Sequence, residues 1–509
     1  MAADGPSDEV KRKEPLAKLQ AAEDSVFSTR WEIFTPYLAE YWGTLVITAT
    51  FLCNVDARST DASFKSICHA FMVVGVVSAT KHMTGASLNP SVSLALALAG
   101  RQRLSTAGLL CVAQVLGAIT AAALCIQAGV AKELTLGPQG HHNWFQVGLL
   151  ETIYACMMCL VYLNCAASKK NNPKEDQNGF VGIAVGFCYL ASQNATQGIC
   201  STVSNSAIAI GLIAYGKGGG THISHGVGYF LYDLLGAFLA AGAYRVVRPQ
   251  EFRSLIMSSA IQENIQESAL LGAEYIGTFY IVLTQVLTML SSTGGDIGPQ
   301  AWGTAAVVVA MVYALRDVSG AHFNPAVTMA VRASGRAPAE DLPFDSTNLR
   351  FGVFYALSQV LAAVSAALII GLVYSSISTP TTKLEATAGQ IMFAECFGVF
   401  FLCYVVLASS VTSPVDGSRS SQNNLAGLAY GSVVLSSTLT VGNISGALLN
   451  PVTAVTVIMV GASGRNSLIV YTIYHVSAGV LAAAAFLVTH AQLYVKDARD
   501  ADDERLAGI

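Results

Sequence analysis

Four asparagines interrupt otherwise apolar runs of this chain, three of them followed by proline: Asn89-Pro90-Ser91, Asn205-Ser206-Ala207, Asn324-Pro325-Ala326 and Asn450-Pro451-Val452. Inside a continuous helix, proline removes a hydrogen bond and clashes with the preceding turn, costing about 3 kcal/mol; at the first helical position it costs little. Asparagine just before it is a favoured N-cap, because its side chain satisfies an orphan amide of the first turn. Each motif therefore reads as a helix start in apolar surroundings, where irregular backbone is tolerated only around water. A helix N-terminus carries roughly +0.5 of an elementary charge, and the asparagine amide can donate into a lumen while its oxygen caps. Together these groups bind the oxygen of a neutral hydroxylic solute and repel cations.

A carboxylate accompanies every motif. Glu40, Glu151, Glu274 and Glu395 precede their asparagines by 49, 54, 50 and 55 residues. An acid inside a membrane is a candidate for proton coupling, but repetition at four equivalent places favours a structural role. No paired catalytic groups, metal-ligand spacing or phosphate loop stands out, so no enzyme, cofactor or metal is expected. Cys156 and Cys159 form a C-x-x-C within an apolar helix. With eleven cysteines in apolar segments, nine of them before residue 201, small buried hydrophobes fit better than a disulfide framework or a redox centre.

The elements that position these residues follow from composition. Of 509 residues, 53% are hydrophobic and 12% charged, with mean hydropathy +0.52; soluble domains carry about 25% charged residues. The chain reads as a polytopic protein of the lipid bilayer. A net charge of −4 is too small to argue for a nucleic-acid partner. Twelve apolar blocks read as membrane helices, and shorter runs such as 89–100 and 450–461 would cross only about half of a 30 Å hydrocarbon core.

Internal repetition sets the architecture. AEYWGT at Glu40 recurs as AEYIGT at Glu274, AQVLGA at Gln114 as SQVLAA at Gln359, and LLETIY at Glu151 as FAECFG at Glu395. The later pairs are offset about ten residues more than the first, which places an insertion in the polar loop GRAPAEDLPFDSTN. Each half is itself doubled, and with three spans per quarter adjacent quarters enter the membrane in opposite senses. About 22 basic residues fall on one side and about 6 on the other when the N-terminus is cytoplasmic. The expected organisation is a cytoplasmic tail (1–36) without a cleavable signal, a first barrel (37–245), a cytoplasmic linker (246–268), a second barrel (269–490) and a cytoplasmic tail (491–509).

SGAHFNPAVT (319–328) and the fourfold plan of glutamate, spacer and Asn-Pro resemble the aquaporin (major intrinsic protein) family over roughly residues 35–490, as two complete copies in tandem. The resemblance implies an all-α membrane protein of twelve transmembrane helices, arranged as two right-handed six-helix barrels. Each barrel would hold two re-entrant half-helices and one pore for water or small uncharged solutes such as glycerol, urea or ammonia. Barrels of the family associate in fours, so a homodimer imitating a tetramer is expected. The glutamates would accept backbone donors and hold the re-entrant loops.

Departures from the family bear on selectivity. An arginine usually follows the second motif, at positions held here by Ile208 and Thr453, and the acidic residue of glycerol-conducting members is replaced by Ala209 and Ala454. By family spacing the other outer-constriction positions are His69, Gln193 and Thr202 in the first half and Thr304, Thr438 and Ala447 in the second. The second pore should therefore be the wider. His69 reads equally as a helix–helix hydrogen-bonding residue, and His322 as an inner-mouth or a loop residue. A passive channel is the favoured reading, with a twelve-helix secondary transporter or a mainly structural protein with a closed first pore as alternatives.

Overall fold

The structure, a computed structural model, describes residues 33–54, 62–129, 136–172, 178–200, 202–215, 222–252, 259–291, 296–335, 349–374, 386–410, 425–461, 466–492 and 494. Most of both tails, the insertion loop beyond residue 335 and residues 253–258 of the expected linker lie outside these.

Among the described residues sixteen α-helices run in one repeating order. In the first half these are α1 (33–54), α2 (Ala62–Thr84), α3 (Pro90–Leu98), α4 (Leu104–Gln127), α5 (Trp144–Tyr162), α6 (Val181–Ala195), α7 (Ser206–Tyr215) and α8 (Ile223–Val247). The second half comprises α9 (Ser259–Ser291), α10 (Gly298–Ser319), α11 (Pro325–Ser334), α12 (Leu349–Val373), α13 (Ala388–Ser410), α14 (Ala426–Ser445), α15 (Pro451–Met459) and α16 (Asn466–Thr489). Helix α9 thus begins inside the stretch read as a linker. Among the described residues eight helices are long and apolar enough to cross a membrane on those grounds alone. Helices α1, α2 and α14 are of similar length and α6 has 15 residues, and the repeat sets all four beside the eight. The four short helices, α3, α7, α11 and α15, are the half-helices that the Asn motifs open.

Each half is a six-helix barrel around its two half-helices. Helix α2 packs on α6 and α5 on α8, as α10 packs on α14 and α13 on α16. The crossings are close because small residues face them, the usual device where lipid supplies no hydrophobic drive between helices. A Cβ on Gly186 would stand 2.6 Å from the Ala70 carbonyl, and one on Gly431 would stand 3.0 Å from that of Ala305.

The halves join through α5, α6 and α8 of the first against α9 and α10 of the second. Tyr154 and Thr284 share a hydroxyl contact of 3.1 Å, the Tyr280 hydroxyl donates to the Ile153 carbonyl (3.1 Å), and Phe180 stacks on Tyr313 at 5.2 Å. The end of this seam carries an ion pair. Arg248, fully buried, donates to both Asp317 oxygens at 2.5 and 2.7 Å and through Nε to Asn164 (2.8 Å).

Removing one partner of a buried pair leaves the other charge uncompensated, which costs about 3–5 kcal/mol, whereas apolar replacement of both is far milder. Asp317→Ala should therefore lower the unfolding temperature in detergent clearly, and Arg248→Met with Asp317→Leu should recover much of the loss. Equal melting of Asp317→Ala and the parent would contradict the seam.

Candidate functional site

Pro90, Pro325 and Pro451 stand at the first position of their helices. Ser206 takes that place in α7, where the local sequence lacks the proline but keeps the cap. In each motif the asparagine Oδ1 accepts the amide two residues on: Asn89 from Ser91 (3.0 Å), Asn205 from Ala207 (3.0 Å), Asn324 from Ala326 (2.8 Å) and Asn450 from Val452 (3.1 Å).

The amide nitrogens cross between half-helices. Asn89 donates to the Ser204 carbonyl (2.9 Å) and Asn205 to that of Leu88 (3.0 Å); Asn324 donates to Leu449 (2.8 Å) and Asn450 to Phe323 (2.9 Å). All four accepting residues precede an asparagine, and all four are left-handed at φ between 46° and 54°. Non-glycine residues adopt that region at a cost of about 1–3 kcal/mol.

The glutamates supply the compensation. Glu40 accepts from the backbone of Ser87 (2.9 Å) and Leu88 (2.6 Å), Glu274 from His322 (2.9 Å) and Phe323 (2.7 Å). Glu151 accepts from Val203 (3.0 Å) and Ser204 (2.6 Å), and Glu395 from Leu448 (3.1 Å) and Leu449 (2.9 Å). Hydrogen bonds to an ionised acceptor are about twice as strong as neutral ones. Gln114 and Gln359 brace Glu40 and Glu274 at 2.7 and 2.8 Å.

Two further partners escaped sequence reading. Glu395 receives His475 Nε2 at 2.8 Å, whereas Glu151 faces Asp233. The repeat aligns His475 with Asp233, a signal that comparing the last helices of the two halves could have found.

The constriction candidates diverge between halves. In the first, His69 Nδ1 meets Gln193 Nε2 at 2.7 Å, and the His69 ring packs on Phe51 and Tyr189 with centroids 5.4 and 4.9 Å away. The Tyr189 hydroxyl accepts a second bond from the Asn205 amide at 3.0 Å. Ile208 lies in an apolar cluster with Phe51, Thr202 pairs with Cys200 at 3.3 Å, and the Ser91 and Ser206 hydroxyls touch. Matching the glycine crossings aligns Tyr189 with Val434, and the first glutamate pair aligns Phe51 with Gln285.

In the second half a cavity of about 50 Å³ is lined by both asparagines, Asn324 and Asn450, with Thr304, His322, Gln285 and Val434 among its walls. The hydroxyls of Thr304 and Thr438 and Nε2 of His322 are buried without a hydrogen-bond partner among the described residues. Thr453 donates to Gln285 Oε1 at 2.8 Å, and Ala447 contributes its carbonyl to Gln285 Nε2 at 3.0 Å.

Paired half-helices with crossed asparagine amides, set in two six-helix barrels, define a membrane channel scaffold present twice in one chain. The major intrinsic protein family matches over residues 28–213, 141–299, 285–410 and 381–504, and the chain belongs to that family. It is similar to Aquaporin NIP1-4 of Oryza sativa subsp. japonica, 31% identical over 200 residues that make up 38% of this chain and 67% of the relative. It is also similar to Aquaporin NIP1-1 of Zea mays, 32% identical over 222 residues (42% and 72%), and to Aquaporin NIP1-2 of Arabidopsis thaliana, 32% over 189 residues (36% and 60%). The protein is thus an integral, multi-pass membrane channel.

Glu274→Ala strands two buried amides, those of His322 and Phe323, each worth about 1–3 kcal/mol when left unpaired. Gln359→Ala removes one brace only. The expected order of thermal stability in detergent is parent, Gln359→Ala, then Glu274→Ala well below; a Glu274 variant as stable as the Gln359 variant would contradict the loop-holding role.

Proposed function

We propose that the chain conducts water and small uncharged solutes of the glycerol, urea and ammonia class through its second half, and that its first half is a closed barrel with a structural role. The observation that carries this reading is the asymmetry at the asparagines. The Asn205 amide spends one hydrogen on Leu88 and the other on Tyr189, so neither is left for a solute. Asn324 and Asn450 each bond one carbonyl and border the cavity. Around them the second half has Val434, Thr304 and Thr438 where the first has Tyr189, His69 and Gln193, all smaller or shorter.

The second constriction, as we read it, comprises Thr304, Thr438, Ala447 and Thr453 and carries no fixed charge. The half-helix dipoles remain to disfavour cations. The relatives' designation as aquaporins supports water passage, and the absence of arginine at Thr453 supports larger neutral solutes as well.

Association is proposed on the same basis. Within the chain, α9 and α10 are covered by the first half. Their counterparts α1 and α2 present exposed Trp42, Phe64 and Phe71, while α13 presents exposed Phe393 and Phe397. Two chains placing these faces together would close a ring of four barrels with both termini cytoplasmic.

Thr304→Trp should abolish most solute and water flux in proteoliposomes, and His69→Trp should remove little; the reverse ranking would overturn the assignment of the pore. Thr453→Arg should reduce glycerol or urea flux more than water flux, and an unchanged ratio in a folded variant would place the constriction elsewhere. Mass measurement in detergent should give two chains per particle, and four would contradict the dimer.

A further inference from the structure

We infer that Gln285, a residue of α9 outside the expected constriction set, is the cation-rejecting and specificity-setting side chain of the second pore. The inference rests on the reading of that half as the conductor. Three hydrogen bonds define its role. Gln285 Nε2 donates to the carbonyls of Ala447 and Leu448, both at 3.0 Å, and its Oε1 accepts from Thr453 at 2.8 Å. The side chain is 2% exposed and borders the cavity beside Thr304 and Leu448.

The chemistry follows from what those carbonyls would otherwise do. The loop ahead of α15 holds Ala447 and Leu449 in left-handed backbone, φ 47° and 54°, which turns successive carbonyls to different sides. Backbone carbonyl oxygens facing a pore replace the hydration shell of cations and are the basis of cation filters. An amide has two donors and no net charge. Gln285 spends both on these oxygens, leaving them neutral and poorer ligands for a cation, and its acceptor fixes the Thr453 hydroxyl as well. A pore without a fixed positive charge thereby disfavours cations while leaving width for polyols or urea.

The first half supplies an internal control. At the matching positions it has Phe51 and Ile208, which share one apolar cluster. The two positions change together between halves, from an apolar pair that fills space to a polar pair that clamps the loop.

Gln285→Met keeps the length and removes the donors; Gln285→Lys keeps donors and adds charge. In proteoliposomes and planar bilayers, Gln285→Met should raise the ratio of potassium and methylammonium leak to water flux by tenfold or more. Gln285→Lys should stay ion-tight with reduced glycerol flux. Thr453→Val, which leaves the carbonyls held, should leak no more than the parent. If Gln285→Met fails to assemble, Gln285→Leu, also uncharged and without donors, carries the test with the same expected leak. Adding Thr304→Trp to the leaking variant should abolish the leak. An ion-tight donor-less variant with normal water flux, or equal leak from Gln285→Met and Gln285→Lys, overturns the inference alone. Unchanged water flux in Thr304→Trp overturns the conducting role of the second half, and the inference with it.

Discussion

Everything in this molecule hangs on a bond between a buried carboxylate and the amide of a residue that sits in left-handed backbone. Leu88, Ser204, Phe323 and Leu449 each present an N–H to a glutamate on one side and a carbonyl to the opposing half-helix's asparagine on the other. The strained conformation makes both contacts possible at once, because it turns the carbonyl toward the barrel axis while the amide still points into the helix wall. Without the glutamate, the amide would be orphaned in a dry environment and the strain unopposed. With it, two half-helices meet end to end and the backbone is irregular only where it is enclosed by protein.

That scaffold is indifferent to what fills the barrel, which is why two halves with one backbone plan differ so much inside. Phe51, His69, Tyr189 and Ile208 form a packed interior in the first half, with rings at 4.9 and 5.4 Å from His69. Gln285, Thr304, Val434 and Thr453 hold the same positions in the second and leave a cavity. Even the carboxylate's far-side partner changes, from Asp233 to His475. Within the chain the first half serves as well filled as open, because it still offers Tyr154 and Arg248 to the seam with the second.

The fold was legible because its determinants are local or periodic. Asn-Pro in an apolar run announces a capped half-helix, and a glutamate recurring at fixed distance announces the loop it holds. Residues that act across the barrel were not legible in that way. Tyr189 and Val434 both read as ordinary apolar helix positions, and only the three-dimensional register reveals that the tyrosine hydroxyl reaches Asn205. Gln285 sits in a helix where a lone glutamine carries no motif, and its partners lie more than 160 residues on. Arg248 stood in a stretch read as a hydrophilic linker, yet it is the fully buried half of the ion pair that ties the halves together.

We propose one open pathway per chain, through the second half. Thr304 borders the cavity of the second half with a hydroxyl unpaired among the described residues, and His69 holds the matching position in the first half, so cysteine at either site is a matched probe of access and consequence. Stopped-flow water flux in proteoliposomes, before and after a small mercurial reagent, measures both against the parent protein. The reagent should block flux through Thr304→Cys and leave His69→Cys and the parent unchanged. Block of His69→Cys with Thr304→Cys unaffected would contradict it.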